Sequence, residues 1–517
     1  MGNLVFDEKM GDIAVGIYDI PYSPDATVLY LNLLKHNAVI FGGSMSGKTT
    51  MVKNILVRMN EEKPYSSWEN TYILDFGGNI GKYSELGRVC AYFDNSNEEN
   101  IKRIFRTVEQ RLAENNRVLN GENYLSYQQK NPNNPLPHIT LILENVTAFL
   151  GEERYSIYHD ILTKLVRDGI SKGVSVLVTA TDLTGLLNRM MVHFNRKYAL
   201  EMQKDKYLEI FNTKVDEPMK IPGRGVTMVN SMPCEFQAFL PFEKEDELTS
   251  LIIQSGTNGV GKLKSFPSEL TQANLSVFCP KIKLLSSEVL VGLDYYHHSP
   301  VALDFKEAHN IAIYGKKQFG KTNLLRLILR GAYEKHPNAR YVFFDDGRAQ
   351  LVEFYELYKA ANPEKVQYVS QFSDFNKIMR TIDERCNSGD RNPVFFVLQN
   401  KMLYNRKRKT PEGMTIDGFY LTNALTQAEE RNHFFILTDV PKIADKTAYD
   451  ELNSLINVAF LLDSIGDFIA EKGSSSVFNS MDHKEMKREY ARCDVGDGFY
   501  YDVDRENLQK MKVIKSN

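Results

Sequence analysis

The sequence predicts an α/β protein of two tandem modules, each a mostly parallel sheet flanked by helices. Three observations predict it. Short apolar runs alternate with segments of helical period. A glycine-rich loop of one fixed spacing occurs twice, at Gly42–Thr49 and Gly315–Thr322. The elements around both loops recur in the same order.

The first loop reads Gly42-Gly43-Ser44-Met45-Ser46-Gly47-Lys48-Thr49, followed by Thr50. The second reads Gly315-Lys316-Lys317-Gln318-Phe319-Gly320-Lys321-Thr322, followed by Asn323. Both fit G-x-x-x-x-G-K-[ST], in which backbone N–H groups wrap a polyphosphate, the Lys reaches its terminal phosphates and the hydroxyl meets Mg²⁺. The expected ligands are therefore ATP and Mg²⁺, with Thr49 and Thr322 on the metal side. The two lysines stand 273 residues apart (321 − 48), the spacing of a duplication rather than of one site. A buried strand should precede each loop, and Ala38-Val39-Ile40-Phe41 and Ile311-Ala312-Ile313-Tyr314 do so. Helical sequence follows from Thr50 and from Asn323. A third near-match, Gly256 to Leu263, lacks the hydroxyl and has Pro267 behind it, so it reads as linker.

The flanking elements match in turn. Val15-Gly16-Ile17 and Val291-Gly292-Leu293 lead in. Tyr72-Ile73-Leu74-Asp75-Phe76-Gly77-Gly78 and Tyr341-Val342-Phe343-Phe344-Asp345-Asp346-Gly347 supply a second buried strand. A helix with Arg106-Thr107-Val108-Glu109-Gln110-Arg111 or Arg380-Thr381-Ile382-Asp383-Glu384-Arg385 comes next. Two more strands and a closing hairpin complete each half. Strands alternating with helices imply a parallel sheet covered on both faces, here two RecA-like P-loop NTPase modules. Residues 1–250 form the first, 251–285 a linker and lead-in, and 286–517 the second. An insertion from Asn120 to Pro137, rich in Asn, Gln, Tyr and Pro, reads as an exposed loop.

Composition narrows the classes. A net charge of −3 over 517 residues supplies no global drive toward nucleic acid. Five scattered cysteines without C-x-x-C argue against a disulfide framework or a zinc site. The ten histidines lack ligand spacing, and His297-His298 reads as a surface pair. No run reaches the length of a membrane span.

The catalytic acids are where the pattern thins. Active P-loop ATPases end the third strand on an Asp that orders Mg²⁺, with a neighbouring Glu that polarises the attacking water. Here Leu141-Ile142-Leu143 ends in Glu144-Asn145, and Phe396-Val397-Leu398 ends in Gln399-Asn400. Glu144 can still serve Mg²⁺. Asn145, Gln399 and Asn400 cannot accept a proton, and losing a general base lowers rate by about 10²–10⁴. Both modules should bind nucleotide better than they hydrolyse it, the first more tightly. Arg111 and Arg385, with Arg106, Arg380 and Arg196, are candidate arginine fingers, each competing with a surface ion pair. Thr181 stands where a phosphate-sensing side chain would.

The Leu74-Asp75-Phe76-Gly77-Gly78 strand end, the Val-Gly lead-ins and the Ile221-Pro222-Gly223-Arg224-Gly225 turn resemble one family. It is the EssC/EccC-type coupling ATPases of type VII secretion, within the FtsK/SpoIIIE class. The resemblance covers nearly the whole chain and is to the last two of the family's three ATPase modules, more in the EssC form. It implies a hexameric motor at the cytoplasmic side of the bacterial cell membrane, anchored by other parts of a longer protein and linked to virulence. It implies as partners the preceding ATPase module, other secretion components and WXG100-type helical-hairpin substrates recruited by the last module. Specific nucleic acid is not expected. Two other classes compete: an FtsK-like DNA translocase, which calls for competent acids and a basic tail, and a self-sufficient ATPase, which Asn145, Gln399 and Asn400 oppose.

Overall fold

The computed structural model describes residues 11–19, 26–61, 69–96, 98–132, 134–183, 186, 188–242, 246–255, 263–345, 347–371, 373–399, 407–409, 415–417, 419–438, 440, 446–472, 478 and 493–516. They form two compact units, Met1–Ser265 and Phe266–Asn517.

The first unit is built on strands β1 (Asp12–Asp19), β2 (Ala26–Asn32), β3 (Ala38–Phe41), β4 (Glu69–Asp75), β5 (Val89–Asp94), β6 (His138–Glu144), β7 (Val174–Ala180), β8 (Arg196–Leu200), β9 (Arg224–Val229) and β10 (Met232–Ala238). They hydrogen-bond in the order β2-β1-β10-β9-β8-β3-β7-β6-β4-β5. The stretch from β8 to β5 is parallel, and the hairpins at the other end are antiparallel. Parallel strands buried on both faces must be apolar throughout, and β6 and β7 are buried at every position. One face packs on the helix Lys48–Glu61 through Met51, Val52 and Ile55, and the other on the helix Glu98–Leu119 through Ile101, Ile104 and Phe105.

The second unit repeats this plan. Its strands are β11 (Leu270–Thr271), β12 (Glu288–Asp294), β13 (Pro300–Asp304), β14 (Asn310–Gly315), β15 (Arg340–Phe344), β16 (Val366–Val369), β17 (Val394–Leu398), β18 (Lys407–Lys409), β19 (Thr415–Asp417), β20 (His433–Thr438), β21 (Val458–Leu462), β22 (Asp497–Asp502) and β23 (Asn507–Lys515). The main sheet runs β13-β12-β23-β22-β21-β14-β20-β17-β15-β16, the same order as in the first unit, with β11 added beside β23. β18 and β19 pair separately. The predicted fold, two α/β modules with mainly parallel sheets, is the one observed.

The Val-Gly lead-ins have a steric basis. Pairing shifts register at Gly16 and again at Gly292. A Cβ on Gly16 would stand 2.3 Å from Gln237 O, and one on Gly292 2.5 Å from Lys512 O.

Two expectations are corrected. The insertion is not a bare loop. Asn123 caps a helix, Tyr124–Lys130, through Leu125 N–H, and Tyr124 is fully buried. Gln128 donates to Leu136 O at 2.8 Å and accepts from Leu136 N at 3.0 Å, tying the segment into a closed loop. His298 is buried against Phe266 and Phe278 rather than lying on the surface, and only His297 is exposed.

The outer edges of the two parallel regions differ. In the first unit the extended residues 263–265 lie along β5: Leu263 N–H donates to Cys90 O at 2.7 Å and Arg103 donates to Lys264 O at 2.6 Å. In the second, β16 ends the sheet. It borders a groove of about 570 Å³ lined by Arg340, Lys365, Tyr368, Asp374, Lys377 and Arg385.

Candidate nucleotide site

β3 delivers the first loop at the centre of its sheet, between β7 and β8. Gly42 N–H donates to Ala180 O at 3.2 Å and Gly43 N–H to Glu201 O at 2.8 Å, which pins the loop's first residues to both neighbours. Met45 (φ 61°) and Gly47 (φ 104°) take left-handed conformations that turn the backbone back on itself. Lys48, the first residue of the helix, folds its ammonium under the loop and donates to Gly42 O and Gly43 O at 2.6 and 2.7 Å. Burial lowers its pKa, opposed by the charge of Glu144.

Thr49 and Glu144 meet directly, the hydroxyl donating to Glu144 Oε1. Thr179 Oγ1 donates to Oε2 of the same carboxylate at 2.7 Å. Glu144 is buried, which pushes its carboxyl above the ordinary range; the Thr49 and Thr179 hydroxyls pull the other way, and nearby Asp75 adds to the rise. A buried carboxylate facing the loop's hydroxyl is the donor set that a divalent cation on a polyphosphate requires. Asn145 does not join it. Its backbone is left-handed (φ 60°, ψ 59°), its N–H donates to Thr179 Oγ1 at 2.7 Å, and its side chain caps the next helix through Ala148 N–H.

The second loop reproduces the cradle. Lys321 donates to Gly315 O at 2.6 Å and Lys316 O at 3.0 Å, and Gln318 and Gly320 repeat the left-handed turns at φ 66° and 102°. Its surroundings differ. Gln399 turns to Gln350, and Thr322 is exposed. Asn400 lies outside the described residues. Lys316, at the place of Gly43, is held by Asp463 at 2.9 Å and Asp467 at 2.8 Å. Asn323 donates to Ile514 O at 2.8 Å and accepts from Ser516 N–H at 2.7 Å.

The other candidates fall elsewhere. Helix Glu98–Leu119 ends near the starts of β6 and β7, where Asn115 donates to Pro137 O and Lys172 O at 3.1 and 3.0 Å. Arg111, one turn before, is therefore remote from its own loop, and it pairs with Glu114 at 2.9 Å on the surface. Arg385 lines the β16 groove. Arg196 starts β8, at the end of the strand away from the loop, beside His36. Thr181 is exposed, and Thr179 takes the place beside Glu144 instead. Sequence alone misses Thr179 because only the β6–β7 register, Leu143 opposite Val178, sets it there.

The motif acids outside the site are turn-formers. Asp75 accepts from Gly77, Gly78 and Ile80 N–H at 3.0, 2.7 and 3.0 Å. Asp345 accepts from Gly347, Ala349 and Leu351 N–H at 3.0, 3.1 and 2.7 Å.

No family model matches the chain. Among curated proteins it is 22% identical over 375 residues to the type VII secretion system protein EssC of Staphylococcus aureus, covering 69% of this chain and 25% of that protein. It is 24% identical over 344 residues to the ESX secretion system protein EccC of Geobacillus thermodenitrificans, covering 63% and 23%. The match thus spans about a quarter of the length of these relatives. Among solved structures, EssC (ATPases 2 and 3) from Geobacillus thermodenitrificans superposes with a TM-score of 0.73 at 18% identity, covering 99% of this chain and 98% of that one. Thermomonospora curvata EccC (ATPases 2 and 3), in complex with a signal sequence peptide, gives 0.63 at 18% identity, covering 98% and 93%. Among the described residues no helix is long and apolar enough to cross a membrane. The chain is thus similar in sequence to the EssC/EccC-type ATPases of type VII secretion, and its doubled loops and strand order follow the fold of their second and third ATPase modules.

Proposed function

We propose that the chain is the nucleotide-holding and substrate-recruiting part of a type VII secretion motor, binding ATP–Mg²⁺ with slow turnover. The observation that carries this is the Lys48, Thr49 and Glu144 arrangement, in which loop, hydroxyl and buried carboxylate converge while the adjoining residue is Asn145. Lys48 and the loop amides hold the phosphates. Thr49 and Glu144 hold the cation, which supplies charge neutralisation between the phosphates. Asn145 holds a position but takes no proton. The second unit binds nucleotide more weakly, through Lys321 and Thr322, with Gln399 neutral beside it.

The recruiting surface is the β16 groove. The equivalent edge of the first unit already holds an extended segment, residues 263–265, by one backbone hydrogen bond and by side-chain bonds from Arg103 and Asn100. The β16 groove, with Arg340, Lys365, Lys377 and Arg385 against Glu364 and Asp374, fits an extended tail with apolar and acidic residues. In the motor this tail belongs to a WXG100-type substrate, and the assembly is hexameric at the cytoplasmic side of the membrane. The electrostatics favour protein over duplex DNA, since the net charge of −3 gives little counterion-release drive.

Calorimetry with ATP–Mg²⁺ on the chain and on its Lys48→Ala and Lys321→Ala variants tests the nucleotide reading. Two separable binding events and barely measurable phosphate release are expected. No binding, or brisk hydrolysis, refutes it. A substrate-tail titration against Lys377→Glu tests the groove: unchanged affinity removes it from the docking surface.

A further inference from the structure

The two cradles treat phosphate alike but offer different surfaces beside it. In the first unit one backbone segment outside the loop touches its apex. Gly223 N–H donates to Ser46 O at 2.8 Å, and a Cβ on Gly47 would stand 2.8 Å from Gly223 N. Gly223 is itself held in a left-handed turn (φ 81°), and its carbonyl accepts from Ala238 N–H at 2.8 Å. Gln237 adds a bond to Pro222 O at 3.2 Å. The turn Ile221–Pro222–Gly223 is thus fastened to the phosphate loop on one side and to β10 on the other. Its two leading residues are apolar and open to solvent, Ile221 at 46%, and the loop contributes Met45 at 92%. Clustered apolar side chains on a fastened turn next to a phosphate cradle offer a surface that an apolar group can cover.

In the second unit the same neighbourhood is charged. The residue after β21 is Asp463, matching Glu201 after β8, and with Asp467 it draws Lys316 across the start of the loop. The equivalent turn carries Val495 at 64% exposure and Gly496 O accepts from Val513 N–H at 2.9 Å, but among the described residues nothing lies within 4 Å of a Cβ on Gly320, so this turn does not press on its loop there as Gly223 does on Gly47.

Resting on the nucleotide reading above, we propose that Ile221, Pro222 and Met45 form the purine subsite of the first unit. We further propose that the Lys316–Asp463–Asp467 cluster leaves the second unit without one. The occupant is the base of the nucleotide whose phosphates the adjoining loop holds, because the turn is continuous with that cradle through the Gly223–Ser46 bond. The first unit then selects a purine nucleotide, and the second answers to the polyphosphate alone.

Binding of ATP and of inorganic tripolyphosphate, each with Mg²⁺, is measured by calorimetry on Lys321→Ala, which isolates the first site, and on Lys48→Ala, which isolates the second. The first site is expected to prefer ATP by about tenfold or more, and the second to bind both within about threefold. Ile221→Asp, an exposed substitution, should weaken ATP at the first site about tenfold and leave tripolyphosphate unchanged. Pro222→Ser should act in the same direction. Equal affinity for ATP and tripolyphosphate at the first site, or equal losses of both in Ile221→Asp, overturns the purine subsite while the nucleotide reading stands. A second site that prefers ATP as strongly as the first overturns the proposed asymmetry. Failure of both ligands at both sites overturns the nucleotide reading and this one with it.

Discussion

The two units share a strand order and a phosphate loop, yet they differ at several residues that touch the loop from outside. In the first, Glu144 meets Thr49 and the Ile221–Gly223 turn closes on Ser46. In the second, Gln399 bonds Gln350, Lys316 is held by two aspartates and Asn323 fastens residues 514–516. The lesson is about what the fold enforces. A loop whose lysine bonds its own carbonyls is self-contained, so it survives when the strands beside it change. The Thr49–Glu144 pair is not self-contained, because Glu144 comes from β6 and its orienting Thr179 from β7.

The largest expected effect tests that self-containment. Lys48→Ala and Lys321→Ala each remove an ammonium that bridges two loop carbonyls as well as the phosphate charge. Each should lower ATP affinity at its own site on the order of 10³-fold and leave the other within about twofold, as calorimetry reads it. Loss of both events from one substitution breaks the picture of two independent cradles.

The closing hairpins give the next contrast. Arg224 pairs with Glu235 at 2.7 Å across β9 and β10 in the first unit, with both side chains partly exposed. In the second, the signs reverse: Asp497 on β22 pairs with Lys512 on β23 at 2.8 Å, and these side chains are 2% and 6% exposed. Removing one partner of a buried pair strands the other charge, so Lys512→Ala should destabilise by about 3–5 kcal/mol. Arg224→Ala should cost about 1 kcal/mol or less, because solvent screens what remains. Denaturant unfolding of the chain separates the two; similar losses would mean that burial does not distinguish these hairpins.

Turnover sharpens the comparison further, and the structure alters which substitution to make. Glutamate at position 145 would supply a base but would sit in a left-handed conformation and lose the cap to Ala148 N–H. Asn145→Asp keeps the short side chain that tolerates this backbone and caps equally well. It should raise phosphate release by the first unit by about 10²-fold if the absent base is what limits it. No change would assign slow turnover to another cause, such as a finger supplied by a neighbouring chain.

These particulars also mark what the sequence made legible. Both loops, the repeat and Glu144 stand in local motifs, where spacing alone carries the chemistry. Thr179, the cap role of Asn145 and the remoteness of Arg111 depend on strand register and on which way a helix runs across the sheet. The insertion misled for a related reason. Its Asn, Gln and Pro content reads as loop, but Tyr124 and Gln128 are buried by packing that composition does not encode.

The smallest expected effect concerns Glu144 and has a definite sign. Burial holds its carboxyl above the ordinary range, whereas the equivalent strand of the second unit ends on neutral Gln399. A carboxyl that binds its proton more tightly folded than unfolded makes stability fall as pH rises from the ordinary carboxylate value through the raised one. Above that raised range the ligand-free first unit carries a buried charge held by two hydroxyls and the nearby Lys48. Glu144→Gln keeps the shape and removes the charge. It should raise the Tm of that unit at neutral pH by about 2–4 °C and leave it nearly unchanged at about pH 3, well below the ordinary Glu value, where the parent residue is protonated in both states. The same substitution should abolish the Mg²⁺-dependent part of ATP stabilisation, since the cation loses its one protein carboxylate. Gln399→Glu should do the reverse in the second unit. Thermal unfolding at the two pH values, with and without Mg²⁺–ATP, reads all of these. A Glu144→Gln variant that is less stable at neutral pH would show that the Thr49 and Thr179 hydroxyls already satisfy the charge. The first cradle would then be preorganised for the cation rather than strained by its absence.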